Sequence, residues 1–524
     1  MWSLQQINIR FIGLGAMGLG MATDLQRRGQ YSVTGFDIWK PSLEKFVANG
    51  GRSGESPADV AKTSQFPICM AATAQQLDFI LFDSSNAAIE VLPRDATVIL
   101  CSTVPRTYYD TLPSRIAGLG RPDIEIVDAP VSGALARATD LLGDMSEKLY
   151  IMSGGLGAGS KINMVNQLLV GTHIAVASGS SWTWNNRVPH ILESDWTPLS
   201  ALSIFVKDMG IVVSTSRTVQ FPLPIASVAE QPCISGSAKG YGKQDDAGLV
   251  RLFFQVTDKN TGCASFQDED EHLVYPRPES PPSKIRKVAL IGLDGLSCQM
   301  ALLFAGSGFE VHVFDADGAS QEKPLSTSRD IFAHDTYATE APPKRLMHNN
   351  VILRVRNRYL KSLPLFLTLK NTHVFNTIRR VTGSAGAAST VKLMYQHQTG
   401  IQVRAASEAM SFAAKLGLDT RHLYELVGSA AAWSWMSQSR APKMLRGDWS
   451  ATSDSVRTLA NDLRLFLGEA KESMIWAPLA SAALNLFLAA VMKEWAGLSD
   501  AGVVRLYETE KISVSRAAST TLQA

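Results

Sequence analysis

The run Gly13-Leu14-Gly15-Ala16-Met17-Gly18 has the glycine spacing that lets a backbone turn tightly around a phosphate group. Its context gives the spacing weight. It follows an apolar strand-like run, Ile7–Leu14, and opens a helical pattern, Met17–Arg28. A second strand-like run, Tyr31–Asp37, then ends on a carboxylate. Strand, glycine turn, helix, strand and acid together form the signature of a dinucleotide site. Gly13 permits the tight turn, Gly15 lets the backbone approach a pyrophosphate, and Gly18 lets the helix pack on the strand. The helix start supplies unpaired N–H groups and positive dipole for the phosphate charge. Asp37 would accept hydrogen bonds from ribose hydroxyls and repel a 2′-phosphate. No arginine follows it, so the expected cofactor is NAD rather than NADP.

The surrounding elements read as βαβ units. Further strand runs occur at Pro67–Ala71, Thr97–Ser102 and Ile124–Asp128, and after about Lys161 the pattern turns mostly helical. The expected fold is α/β, a doubly wound parallel sheet of the Rossmann kind, followed by an all-α domain. Residues 257–284 hold an acid run, Asp268-Glu269-Asp270-Glu271, followed by Pro276, Pro278, Pro281 and Pro282, and read as a solvated linker. Beyond it the chain starts again. Lys287–Leu293 echoes Ile9–Leu14, Asp500–Leu506 echoes Asp246–Leu252, and Arg440-x-Pro442 with Asp448-Trp449 echoes Arg187-x-Pro189 with Asp195-Trp196. The reading is a tandem duplication in degraded form. The expected domains are 1–150 (dinucleotide-binding), 151–256 (truncated helical), 257–284 (linker), 285–380 (degenerate Rossmann-like), 381–510 (helical) and 511–524 (tail). The spacing between echoes changes along the chain. Copy one lacks about 24 residues that copy two keeps as Glu408–Ala431, a helix ending at Gly417 and another starting near Asp419. Copy two in turn shows no counterpart, over residues 320–385, to the strand–helix series at 60–140.

Fifty Lys+Arg against 48 Asp+Glu leave a net charge of +2, which gives no reason to expect nucleic acid or an anionic membrane as partner. Five scattered cysteines without a CxxC pair fit reduced thiols and a cytoplasmic setting. No secretory signal is expected, because Arg10 interrupts the first apolar stretch. Ala477–Met492 is too short for a span, contains Pro478, Ser481 and Asn485, and reads as a buried interdomain helix. The histidines lack metal-ligand spacing, so no metal site is expected.

Several motifs in order resemble the 3-hydroxyisobutyrate dehydrogenase family of β-hydroxyacid dehydrogenases, and within it the L-threonate dehydrogenase branch. They are Gly13–Gly18 with Met21-Ala22, Ser102-Thr103-Val104, Asp128-Ala-Pro-Val-Ser-Gly133, Gly157-Ala-Gly159 with Asn166-Gln167, and Val206-Lys207-Asp208-Met209-Gly210. The resemblance covers about residues 7–255 and, degraded, 285–508. It implies NAD(P)-dependent oxidation of a small 3-hydroxy acid. It also implies that Thr103 and Lys207 lie near the nicotinamide, that Ser132 and Gly133 hold the substrate carboxylate, and that Asn166 orients the substrate. A lysine on the first long helix would be the general acid/base.

That lysine is missing from copy one. The family pattern places it where Asn163 stands, and Lys161 lies about 200° around the helix, on the opposite side. In copy two, Lys392 holds the matching position, but the glycine loop there reads Gly292-Leu293-Asp294-Gly295-Leu296-Ser297. Asp294 crowds and repels a pyrophosphate, so copy two is expected to bind no dinucleotide well. Asn461 also replaces Lys207. Three functional readings follow: a dehydrogenase with an impaired site or one completed by Lys392; a non-catalytic NAD(P)-binding protein; and a 6-phosphogluconate dehydrogenase or imine reductase-like enzyme, against which no extra cationic cluster is seen. Long apolar helices in both helical domains could pair within the chain as a pseudo-dimer, or between chains as a homodimer.

Overall fold

The structure is a computed structural model that describes residues 7–15, 17–83, 87–130, 156–176, 181–253, 287–291, 310–314, 350–353, 377–380, 387–450 and 455–517. It divides into two compact units. One comprises residues 1–255, 401–448 and 503–524, and the other residues 256–400 and 449–502.

In the first unit six strands form one parallel sheet: β1 (Ile7–Ile12), β2 (Tyr31–Phe36), β3 (Arg52–Ser53), β4 (Pro67–Cys69), β5 (Thr97–Leu100) and β6 (Glu125–Asp128), in the order β3-β2-β1-β4-β5-β6. Helices α1 (Gly18–Arg27), α2 (Lys40–Ala48), α3 (Pro57–Ala61), α4 (Ala74–Phe82), α5 (Ala88–Val91) and α6 (Arg106–Gly118) make the crossovers. Both sheet faces are buried. Ile9, Phe11, Leu14, Leu25, Val33 and Phe46 pack in one core cluster, and Ile12, Leu77, Val98, Leu100, Tyr109 and Leu112 in another. The strand order reverses between β1 and β4, which opens a crevice at their carboxyl ends where α/β sheets bind ligands.

The helical part follows. Helix α7 (Ala158–Val176) packs with α9 (Leu202–Thr218) and α10 (Pro224–Ala238), and α8 (Trp182–Glu193) lies between them in the chain. Gly171 is needed where α7 meets α9, since a Cβ there would run into the Met209 side chain. Arg187 and Asp246 form a buried bidentate pair at 2.6 and 3.0 Å that ties α8 to the 3-10 turn at Asp246–Leu252.

Among the described residues of the second half lie four short strands. β7 (Lys287–Ile291) pairs in parallel with β8 (Glu310–Phe314), and β9 (Asn350–Leu353) with β10 (Thr377–Arg380). The pair β9–β10 falls within residues 320–385, in four-residue runs too short for alternation to show in the sequence. The long helix α11 (Ala387–Lys415) follows, then α12 (Thr420–Gly428), α13 (Trp435–Arg446), α14 (Val456–Glu472), α15 (Pro478–Met492) and α16 (Val514–Ala517). The break between α11 and α12 stands where the sequence placed it. Gly417 takes φ +73°, and the Asp419 carboxylate caps α12 by accepting from Arg421 N and His422 N at 2.8 and 3.1 Å.

Residues 401–448 and 503–524 belong to the first unit, not to the one holding the rest of the second half. There Glu408, fully buried on α11, accepts from Ile225 N and Ala226 N at 2.7 and 3.1 Å, in the first turn of α10. Tyr507 Oη donates to Glu408 at 3.0 Å, and Arg404, also fully buried, donates to Tyr507 Oη at 2.8 Å and Val503 O at 3.1 Å. Ser181 pairs antiparallel with Ser434.

In the second unit α14 packs on α15. Gln396 Nε2 donates to Asp462 at 2.8 Å, as Gln167 Nε2 donates to Asp208 in the first unit. A Cβ on Gly400 would press on Leu463, as one on Gly171 would on Met209. Helix α15 buries Leu479, Ala480, Ala483, Phe487 and Ala490 along one side and leaves Ser481, Asn485 and Met492 exposed. No helix among the described residues is long and apolar enough to cross a membrane.

Candidate active site

The glycine loop sits at the carboxyl end of β1, at the crevice. Gly13 has φ +100°, and a Cβ on it would collide with the Met70 carbonyl after β4. A Cβ on Gly18 would collide with the Gly13 carbonyl, so the helix can start this close to the turn only with glycine there. Gly15 is different: a Cβ there would meet nothing within 4 Å. Its glycine keeps open a surface that folding alone does not use. Ala16 lies outside the described residues. Asp37 Oδ2 accepts from Leu14 N at 2.6 Å and Oδ1 from Trp39 N at 2.7 Å. The carboxylate therefore holds the loop as well as facing the crevice, and each oxygen keeps a second lone pair for a hydroxyl. An open glycine cradle at a helix start with a carboxylate beside it fits a dinucleotide's pyrophosphate and ribose.

Thr103 follows β5. Ser102 anchors the turn, its Oγ accepting from Ala71 N at 2.7 Å. Three elements meet at Thr103. Asn163, on α7, donates from Nδ2 to Thr103 Oγ1 at 2.8 Å. Lys207, on α9, donates from Nζ to Thr103 O at 3.2 Å and lies 3.0 Å from Asp208 Oδ1. Asp208 is buried, and desolvation raises its carboxyl above the usual range against the pull of Lys207. Asn166, one turn beyond Asn163, is buried, with an Oδ1 that has no hydrogen-bond partner. Such an orphan acceptor is costly in a finished interior.

Position along α7 is set by its start. Asp128, at the end of β6, accepts from Ser160 N and Ser160 Oγ, both at 2.8 Å, and burial raises its carboxyl above the usual range. Gly157 takes φ +88°, and a Cβ on Gly159 would stand 3.0 Å from Asp128 O and Pro130 Cδ. The Gly157-Ala-Gly159 run thus lets α7 begin against the sheet end, from which Asn163 reaches Thr103. Asp128 opens a motif visible in the sequence, but its tether to Ser160 was not singled out, because Ser160 carries no spacing signal. Lys161 points elsewhere: Nζ donates to Leu416 O at 3.1 Å, and burial lowers its pKa.

Ser132 and Gly133 lie outside the described residues, as does the Asp294 loop. Lys392 is exposed near the start of α11 in the second unit. Among the described residues no cluster of His, Cys, Asp or Glu could hold a metal ion.

Residues 8–169 match the NAD binding domain of 6-phosphogluconate dehydrogenase, and residues 173–253 and 386–507 match the NAD-binding domain of NADP-dependent 3-hydroxyisobutyrate dehydrogenase. L-threonate dehydrogenase from Cupriavidus necator is 36% identical over 289 residues, covering 47% of this chain and 96% of that protein. The chain belongs to the β-hydroxyacid dehydrogenase family. L-threonate dehydrogenase of Escherichia coli is 29% identical over 296 residues, covering 48% of this chain and 96% of its own length. A crystal structure of 3-hydroxyisobutyrate dehydrogenase from Salmonella typhimurium aligns at 28% identity with a TM-score of 0.43, over 47% of this chain and all of that one. The family is one of oxidoreductases, and this chain carries its NAD(P)-binding domain.

Proposed function

We propose that the chain oxidises a small 3-hydroxy acid of the threonate or 3-hydroxyisobutyrate type, with NAD as the acceptor and with turnover limited by Asn163. The observation that carries this is the convergence of Asn163, Lys207 and Thr103 beside an open glycine loop. A bound nicotinamide dinucleotide supplies the two-electron hydride acceptor. Gly15 and the start of α1 receive its pyrophosphate, and Asp37 takes the ribose hydroxyls, which favours NAD over NADP. Thr103 and Lys207 line the nicotinamide end. Ser132 and Gly133 take the substrate carboxylate, and the unpartnered amide oxygen of Asn166 receives a substrate hydroxyl.

The amide of Asn163 can orient a hydroxyl but cannot accept its proton near neutral pH. General acid/base groups contribute about 10²–10⁴-fold. The same observation supports a second reading, an NAD-binding protein without turnover. One experiment separates them: NADH titration beside NAD-reduction assays with L-threonate, 3-hydroxyisobutyrate and tartronate-type acids. Slow reduction with one of these acids supports the dehydrogenase. Tight NADH binding with no reduction by any of them supports the binding protein. Lys392→Ala, run in parallel, abolishes turnover only where Lys392 completes the site.

A further inference from the structure

The corner joining α9 to α10 and the corner joining α14 to α15 have the same backbone. Gln220 and Met474 both sit in the left-handed region, at φ 54° and 55°. Phe221 N donates to Ser216 O at 2.8 Å, and Ile475 N to Ala470 O at 2.7 Å. Pro224 and Pro478 each begin the next helix. Every pair is separated by the same stretch of chain, as the echo between Asp246–Leu252 and Asp500–Leu506 requires.

The cover over the two corners differs. Phe221 is 4% exposed; its ring stacks on Phe412 at 5.6 Å and lies 5.6 Å from Tyr507. Glu408, four residues before Phe412 on α11, caps Ile225 N and Ala226 N. At the other corner Met474 is 91% and Ile475 47% exposed. Among the described residues no carboxylate accepts from the N–H of Leu479 or Ala480, which correspond to Ile225 and Ala226.

The chain itself explains the difference. The helix over Phe221 lies in the block Glu408–Ala431, which only the second half of the sequence keeps. Ser181, in the first half, pairs with Ser434, the position equivalent to it by the echo of Arg187-x-Pro189 in Arg440-x-Pro442. The first half has no copy of that block.

We propose that the Met474–Ile475 corner is a docking site for an amphipathic helix from another polypeptide, one that carries a glutamate and, four residues later, an aromatic ring. The aromatic ring would cover Ile475. The glutamate would accept from the N–H groups at the start of α15, as Glu408 does at α10. A second copy of this chain does not fit the role. Its own Glu408–Phe412 segment is committed to Phe221, and withdrawing it leaves buried N–H groups without an acceptor.

The test uses the full chain labelled with fluorotryptophan, the resonance lost in Trp476→Phe serving as reporter. The probe is a peptide of residues 401–418, the helix that covers the equivalent corner. The expected result is a saturable shift of that resonance, weakened about tenfold or more when the peptide carries Glu408→Lys and abolished when the chain carries Ile475→Asp, a change at an exposed site. An unmoved resonance, an equal response to the Glu408→Lys peptide, or binding that survives Ile475→Asp overturns the proposal. A shift that grows with protein concentration without peptide, together with a dimer in sedimentation, assigns the corner to a second copy and overturns it as well.

Discussion

Asn163 and Lys161 occupy opposite sides of α7, and their different hydrogen bonds, to Thr103 Oγ1 and to Leu416 O, follow from the 3.6-residue turn. Asn163→Lys therefore places an ammonium at Thr103, and kcat for the best hydroxy acid is expected to rise about 10²–10⁴-fold, with NADH affinity little changed. Lys161→Ala, by contrast, should leave the pH dependence of kcat alone. The loop glycines give a second contrast. Gly13→Ala puts a Cβ into the Met70 carbonyl at positive φ and should lower the melting temperature. Gly15→Val has room in the folded chain, so calorimetry should find the fold intact while isothermal titration finds NADH binding lost. Equal loss of stability in both variants would remove the case for Gly15 as a ligand-facing position.

Helices α7 and α11 carry buried groups whose ionisation sets how stability depends on pH. His173, wholly buried on α7 with neither ring nitrogen hydrogen-bonded, is pushed down to about 4 by burial. A lowered histidine stabilises the fold fully above about 6.5, and that contribution is lost as pH falls from there through about 4, where the unfolded chain binds the extra proton. His173→Leu should flatten this acid limb in thermal melts and add about 1–3 kcal/mol by removing an unsatisfied buried group. Glu408 has the opposite sign. Burial raises its carboxyl to about 7, against hydrogen bonds from Ile225, Ala226 and Tyr507 and the charge of Arg404. Its contribution is complete below about 4.5 and is lost as pH rises through about 7. Melts from about pH 5 to 8 should show a decline that Glu408→Gln lacks. A wild-type curve flat over that window would mean the carboxylate is ionised at no cost.

At the scale of the molecule, the first unit draws residues 401–448 and 503–524 from the second half. Residues 1–255 expressed alone should leave Phe221 and the start of α10 uncovered. That fragment should aggregate or melt at lower temperature, and co-expression with residues 386–524 should rescue it; circular dichroism and light scattering report both. The run Gly13–Gly18 keeps all three glycines and the run Gly292–Ser297 does not, so calorimetric titration of the whole chain with NADH should saturate at about one nucleotide per chain.

The nucleotide site was readable in the sequence because its parts are local. Glycine spacing, the flanking strands and Asp37 fall within one βαβ unit, where side-chain chemistry and backbone sterics act over a few residues. The opposite placement of Asn163 and Lys161 was readable for the same reason, since helical periodicity alone separates them. The tether of Asp128 to Ser160, the meeting of Asn163 and Lys207 on Thr103, and the choice of Glu408 as the cap of α10 were not readable. Each joins elements distant in the chain, and burial and hydrogen-bond satisfaction in the packed molecule, not spacing, select the partner. The sequence by itself determined which glycine run keeps all three glycines, and its repeat reading expects a helical block, residues 408–431, that only the second half keeps. Only the tertiary structure decided that the block retained by one half completes the other, because that choice rests on which exposed apolar corner and which unpaired N–H groups a distant helix can cover.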